Sequence, residues 1–599
     1  MRSGDKKCFY GYVKKKLHSS TQLPPLLNHN GQLLLDPTDK ANALNSQFSK
    51  VFLKDDKTTV ELSSIFPDIN TMSDIFITAE DVANSIRSLK NSVSRTPDRI
   101  PAFFLRKTSK SLAKPLADLF NISLKTGRVP AIWKSALVVP IFKKGQKNDP
   151  GNYRPISLTS VICRILEHVI HEKITAYLIH NNLLSSIQHG FVSQRSTLTQ
   201  QLNYFYDLTK LHSTRTNCDA IYIDFSKAFD RLSHRKLIFV LYHYKINNQI
   251  INWIQDFLTN RSQKTIVEGI CSHICPIVSG VPQGSVLGPL LFVLYLESLV
   301  VDINENCKNT KIYAFADDVK LLSTDAQDLQ RALNITENWA KKWNLLIQPK
   351  KSEYINFSFA SSCSDHLNTY IMDQTQIPCS ESVNDLGLLL SRNLKWSKYI
   401  SKITSKANQI SYTILRAFQN TNYRIHLNLF KTFVRPILEY NTAIWSPNLI
   451  EDINSVEKVQ RHFTKRLCQK SNIKFQNYEE RLRILNLESL EIRRIKFDIV
   501  LMFKIQNKLI DIDFDKFFKT KPSSTKYNLR GHDHQLNVPK YSGSNCHHNF
   551  FSNRILNIWN KLPQDLVNSR NLPIFKTNLN NFDITTILPK NSLKYKTGN

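Results

Sequence analysis

Apolar residues first recur at helical intervals at Val82, Ile86 and Leu89, behind a T-x-x-D capping box made by Thr78 and Asp81. The pattern predicts an amphipathic helix over about 79–90. Before it, Met1–Asn70 is mixed, with Pro24-Pro25 and a polar stretch at Asn28–Gln32, and reads as a linker or small helical extension. After the break Arg95-Thr96-Pro97-Asp98 a second helical region leads into Pro130, and the first strand-like run is Ala136–Phe142. A β-rich run, Ile221-Tyr222-Ile223-Asp224-Phe225, sets a carboxylate at a strand end. Lys311–Ala316 and Val319–Leu322 flank Asp317-Asp318 as a β-hairpin with two acids at its turn. Leu290–Val301 reads as an apolar helix. Lys395, Lys398, Lys402 and Lys406 fall at intervals of three and four, a stripe along one helix face.

Charge changes this picture most. Of 599 residues, 80 are Lys or Arg and 49 Asp or Glu, a formal charge of +31 that favours an acidic polymer as partner. With 41% hydrophobic and 10% aromatic residues, the charge sits on a folded body. Ser391–Arg435 contains no acid, which favours phosphate contact over an ordinary solvated face for the lysine stripe. The apolar stretch from Gly288 to Asp302 is interrupted by Glu297 and falls short of the roughly 18 to 20 residues of a membrane helix, so no membrane partner is expected. Met1–Leu17 carries lysines without an apolar signal-peptide core, so secretion is not expected. Ten scattered cysteines suit a reducing compartment. Cys271, His273 and Cys275 alternate as on one face of a strand rather than as a zinc site.

Asp317 and Asp318 repel each other, and bringing Asp224 beside them raises at least one pKa unless divalent cations are bound. Two hard cations held by such carboxylates are the apparatus of nucleotidyl transfer, one activating a hydroxyl and the other stabilising the leaving pyrophosphate. Between the two acidic segments lies Ser279-Gly280-Val281-Pro282-Gln283-Gly284-Ser285-Val286-Leu287-Gly288-Pro289. This is a Gly-rich turn running into a helix, and it lets backbone approach a ligand closely.

In this order the segments resemble the reverse transcriptases of non-LTR retrotransposons, near the jockey and chicken-repeat lineages. Asn152–Leu158 resembles the fingers motif, and Gln188-His189-Gly190-Phe191 with Arg195-Ser196-Thr197 the next one. Tyr222–Asp230 is similar to palm motif A, the Gly-rich segment to motif B, and Phe315-Ala316-Asp317-Asp318 to motif C. Pro349–Glu353 resembles motif D, Asp385-Leu386-Gly387 the primer grip, and Arg435–Tyr440 a thumb segment. The resemblance implies an α+β right-hand polymerase with fingers, an antiparallel palm sheet and a thumb. Its expected division is 1–120 as a helical extension, 121–395 as fingers and palm, 396–510 as a basic helical thumb and 511–599 as a C-terminal tail.

The same resemblance implies that Asp224, Asp317 and Asp318 hold two Mg2+ ions, with Mn2+ as a substitute. It makes Phe229 a steric gate against a ribose 2′-hydroxyl, or simply a core residue. Gln283 and Gly284 would pack against nucleotide and template, Arg154 and Lys143 or Lys144 would meet the triphosphate, and Lys351 would protonate pyrophosphate. The implied activity is RNA-directed DNA synthesis from an RNA template, a DNA primer or target, and deoxynucleoside triphosphates, in a nuclear or cytoplasmic ribonucleoprotein. The residues before the fingers are too few for the apurinic-type endonuclease of such polyproteins, so target nicking in cis is not expected. An RNA-dependent RNA polymerase and an inactive RNA-binding scaffold are the alternatives. Phe229 and the Ala-Asp-Asp turn weigh against the former, and the three intact acids against the latter.

Overall fold

The computed structural model describes residues 23–28, 30–53, 58, 69–90, 96–357, 368–418, 422–521, 532–539, 545–588 and 593. The basic segment Met1–Leu17 and Arg95 of the expected break lie outside them. The chain is built as the α+β right hand that the motifs imply. A four-stranded antiparallel sheet forms the palm, in the order Thr310–Phe315, Asp318–Ser323, Cys218–Ile223, Glu353–Phe357. Its register pairs Phe315 with Asp318 and Val319 with Ile223, so the hairpin turn and the end of the Cys218–Ile223 strand emerge side by side. A second sheet, the fingers, runs Tyr153–Leu158, Ser135–Phe142, Arg261–Val267, Ile270–Cys271, with Cys275–Ile277 also on Arg261–Val267. Cys271 and Cys275 sit on two short strands that both run antiparallel to Arg261–Val267, with the pairing interrupted over Ser272, His273 and Ile274.

Helices close both sheets from behind. Thr78 and Asp81 form the capping box, and the helix Ala79–Ser88 buries Val82 and Ile86. Residue 120 falls inside the helix Ser109–Thr126, so the expected boundary there is corrected. Phe120 and Leu124 share one core with Trp253 and Leu299, and the N-terminal helices are part of the polymerase body. The helix Pro37–Ser49 likewise packs on the fingers strand Arg261–Val267, so this extension is not a free linker.

The apolar helix is longer than its sequence suggested. Leu287–Asn306 spans 20 residues and is long and apolar enough to cross a bilayer, which corrects the expected shortfall. Protein encloses it from Leu287 to Val300, only its last turn reaching solvent, and polar groups along it are matched internally. Tyr295 Oη donates to the Trp343 carbonyl at 2.7 Å, and Trp339 Nε1 donates to Ser298 Oγ at 2.8 Å. A helix apolar all round and enclosed in this way is the core of a large globular unit.

A second core joins palm, thumb and C-terminal segment. Tyr204, Ala220 and Leu322 from the palm side meet Trp445, Phe463 and Met502 of the thumb, and Trp559 and Phe575 beyond residue 510. Phe503 and Phe575 stack with ring centroids 3.9 Å apart. The C-terminal segment is therefore a packed layer of the thumb.

Candidate active site

Asp224 follows directly on the strand Cys218–Ile223, and a neighbouring segment fixes its backbone. Its N–H donates to Ser352 Oγ at 3.2 Å, and its carbonyl accepts from the Gln348 N–H at 3.0 Å. Ser352 Oγ also donates to the Gln348 carbonyl at 3.1 Å. The 348–352 segment, which carries Lys351, thus clips the strand end in place.

A single buried amide holds the opposing turn. Gln188 Oε1 accepts from the N–H of Gly190 at 2.7 Å and of Ala316 at 2.8 Å, and the His189 N–H donates to the Ala314 carbonyl at 3.0 Å. Ala316 has φ +55°, in the left-handed region, which turns the chain so that Asp317 and Asp318 follow at the tip. Gly190 lies so close that a Cβ there would sit 2.4 Å from the Ala316 nitrogen.

The three carboxylates feel one another across the cleft. Desolvation, then the Asp224 charge, push the Asp317 carboxyl up, against a pull from its own backbone N–H, Arg154 and Lys143. Asp318 is pushed up to about 6 by desolvation first and then by Asp317, Asp385 and Asp224. Burial and the charges of Arg154, Lys144 and Lys351 lower the Lys143 pKa, while Asp224 raises it. Arg154 and Lys143 thus act on the acids, and Lys351 lines one cavity with Asp224 and Asp318. Arg154 comes from the strand Tyr153–Leu158, and Lys143 follows its partner strand, where Ile141 pairs with Arg154.

Three carboxylates, of which Asp224 acts on both Asp317 and Asp318, make a hard-oxygen donor set suited to Mg2+. Among the described residues no group of three or more His, Cys, Asp or Glu converges into a finished metal cage. Asp224, Asp318, Lys351, Glu353 and Asp385 line a cavity of about 150 Å3 on one side of the site.

Phe229 serves packing as well as position. Its half-buried ring stacks on Phe292 at 4.5 Å and meets Phe191 edge-on at 6.2 Å. Gln283 and Gly284 are stitched into the frame. Gln283 Nε2 donates to Asp230 Oδ1 at 2.8 Å, and its carbonyl accepts from the Ser157 N–H at 2.7 Å. Gly284, at φ +124°, would bring a Cβ within 2.5 Å of the Ser157 carbonyl oxygen. The Gly-rich segment thus joins motif A to the fingers strand that carries Arg154, and the Gln283 amide has a protein partner.

The sequence reading missed a buried ion pair beneath the site. Lys320 Nζ lies 2.6 Å from Asp385 Oδ2, both side chains 4% exposed, and 4.0 Å from the centre of the Tyr204 ring. It ties the hairpin formed by Ser382–Asp385 and Leu388–Ser391 to the catalytic strand. A lysine inside the apolar run Val319–Leu322 was the available signal. Tyr440 Oη donates to the Leu386 carbonyl at 2.7 Å and anchors the hairpin tip from the thumb. Lys398, Lys402 and Lys406 of the stripe are exposed on the helix Ser397–Ala417, while Lys395 precedes the helix, which corrects its expected place on that face; Lys402 Nζ reaches Asn384 Oδ1 of the hairpin at 3.0 Å.

Residues 142–412 match the family model described as reverse transcriptase (RNA-dependent DNA polymerase). The RNA-directed DNA polymerase from mobile element jockey of Drosophila melanogaster is 25% identical over 411 residues, covering 65% of this chain and 44% of that protein. A probable RNA-directed DNA polymerase from transposon X-element of the same species is 25% identical over 394 residues, covering 63% of this chain and 42% of its own length. The chain thus spans less than half the length of these curated relatives. Among solved structures, apo telomerase from Candida tropicalis, truncated from its C-terminal domain, is 14% identical. It covers 47% of this chain and 58% of its own at a TM-score of 0.32.

Proposed function

We propose that this chain, whose residues 142–412 are a reverse transcriptase domain, is an RNA-directed DNA polymerase that extends a DNA 3′-hydroxyl along an RNA template. The observation that carries the reading is the convergence of Asp224 with Asp317-Asp318 on one cleft, opposite the cations of Arg154 and Lys143. Asp224, Asp317 and Asp318 are the residues that would hold divalent cations, which supply Lewis-acid activation of the attacking hydroxyl and charge neutralisation at the leaving group. Arg154 and Lys143 would hold the triphosphate and stabilise charge that grows on it. Lys351, on the segment that fixes Asp224, would return a proton to the departing pyrophosphate. Phe229 crowds the 2′ position of an incoming sugar, which favours deoxynucleotides and weighs against an RNA polymerase.

The basic thumb face would follow the template–primer backbone, with lysine–phosphate contacts that make binding strongly salt-dependent. Among the described residues no cysteine is in a disulfide, in keeping with an intracellular ribonucleoprotein in nucleus or cytoplasm.

The test is primer extension on an RNA template, with deoxy- and ribonucleotides supplied in parallel. Wild type should incorporate deoxynucleotides in a Mg2+-dependent way, and Asp317→Ala should abolish incorporation while template binding persists. Tight RNA binding without extension by the wild type would instead support an RNA-binding scaffold and sink the polymerase reading.

A further inference from the structure

A second basic recess lies away from the catalytic cleft, between the thumb helix Leu490–Gln506 and the C-terminal helix Leu572–Asn581. Its volume is about 480 Å3, within the range of small-ligand and nucleotide pockets. Arg493 and Lys496 in its wall are neutralised by Glu439 and Glu488. Lys504 and Lys576 are different. Among the described residues neither has an ion-pair partner, yet the two, from different elements, are near enough for the Lys576 charge to act on Lys504. Two unpaired cations held together by the packing of separate helices form a cradle for an anion.

The recess also offers an aromatic face. Phe497 is 37% exposed, and the Arg493 guanidinium lies 5.2 Å from its ring centre. Val500 and Leu501 provide an apolar floor. A pair of free lysines beside an open aromatic ring is the chemistry that takes a phosphodiester and stacks its unpaired base. On the opposite wall, Asn441 donates through Nδ2 to Gln201 Oε1, and Gln201 Nε2 donates to the Asp385 carbonyl of the primer-grip hairpin. The recess is thereby coupled to the hairpin that borders the catalytic cleft.

We propose that the recess between thumb and C-terminal layer is a second nucleic-acid site, which captures a nucleotide of single-stranded RNA through Lys504, Lys576 and Phe497. This rests on the polymerase reading for its biological setting, but its test does not. Anisotropy of a labelled single-stranded oligoadenylate would be followed against salt concentration for the full chain and for the Lys504→Gln/Lys576→Gln double variant. Each lost phosphate contact removes about 0.7 from the salt slope of single-strand binding, so the slope should flatten by about 1.4. Affinity at physiological salt should fall about tenfold. Phe497→Leu should weaken oligoadenylate binding without changing the slope.

Incorporation on a preassembled primer–template should stay at the wild-type rate in both variants, since none of these residues belongs to the catalytic cleft. Unchanged affinity and slope in the double variant would overturn the proposal. So would loss of inorganic triphosphate binding with RNA binding intact, which would mark a small-anion site, or a preference for duplex DNA. Exposed Lys576→Gln alone, which removes no buried group, should flatten the slope by about 0.7 and guards against misfolding of the double variant. Extension by wild type reads the polymerase assignment separately, so failure of either conclusion is visible without the other.

Discussion

Gly190 offers the most demanding test of how the catalytic turn is held. It is buried, its φ is outside the left-handed region, and alanine therefore meets no backbone penalty there. The obstacle is steric. An added Cβ would stand 2.4 Å from the Ala316 nitrogen, where ordinary contacts begin at 3.4 Å, so the two segments must part by about 1 Å. Ala316 is the residue before Asp317, and its N–H is bound to Gln188 Oε1 at 2.8 Å, so the displacement stretches that bond and carries the catalytic carboxylate with it. A shift of about 1 Å at reacting groups costs on the order of 100-fold in rate, and overpacking costs about 1 to 3 kcal/mol in stability. Rapid-quench single-nucleotide incorporation on a saturated primer–template would read the first, and urea denaturation the second. Primer–template affinity should change little, because neither segment carries the basic thumb face. Incorporation by Gly190→Ala within threefold of wild type, in a folded protein, would refute the claim that this contact sets the Asp317 position.

Three further outcomes follow from the site. Lys320→Met strands Asp385 as an unpaired buried charge and should cost about 3 to 5 kcal/mol by urea denaturation. The Lys320→Met/Asp385→Leu double variant should recover most of that loss, and equal losses would show that the pair contributes no charge coupling. Phe229→Val should raise ribonucleotide incorporation relative to deoxynucleotide and lower stability by about 1 to 3 kcal/mol, since the ring stacks on Phe292. An unchanged sugar preference with reduced stability would leave Phe229 as core alone. Asp318 binds its proton more tightly in the folded chain, at about 6, than in the unfolded one, at about 3.9. In cation-free buffer its ionisation therefore destabilises the fold as pH rises across that window. The melting temperature of Asp318→Asn relative to wild type should accordingly be higher at pH 7.5 than at pH 4.5, and a pH-independent difference would contradict the coupling.

Much of the site was legible because its chemistry is local in sequence. Strand-end and hairpin patterns put Asp224, Asp317 and Asp318 at turns, and the register of two short pairings brings them together. Lys398, Lys402 and Lys406 were legible for the same reason, since helical spacing fixes their face, while Lys395 falls before the helix begins. What the sequence hid were the contacts between distant segments. Gln188 belonged to a recognised motif, but nothing local shows that its amide would accept from residues 190 and 316 at once. Asp385 lies 65 residues from Lys320, and each reads as an ordinary charge until the two are buried together. The extent of the helix Leu287–Asn306 was underread because a single Glu297 interrupts its apolar pattern, while in the fold that carboxylate is buried and its pKa is pushed up to about 7. Burial, not hydropathy, decides such a position.

The shared core of palm, thumb and C-terminal layer has a consequence for synthesis on the ribosome. Tyr204 and Ala220 leave the exit tunnel long before their partners Trp559 and Phe575 emerge. At about 5 to 20 residues per second, the stretch from the end of the matched domain to Phe575 takes on the order of 10 to 30 s to make. Throughout that interval the rear of the nascent sheet presents bare apolar surface. During those seconds the emerging chain is a client for chaperones, and a premature stop codon that spares every catalytic residue would still leave the cell with a sticky, unfinished product.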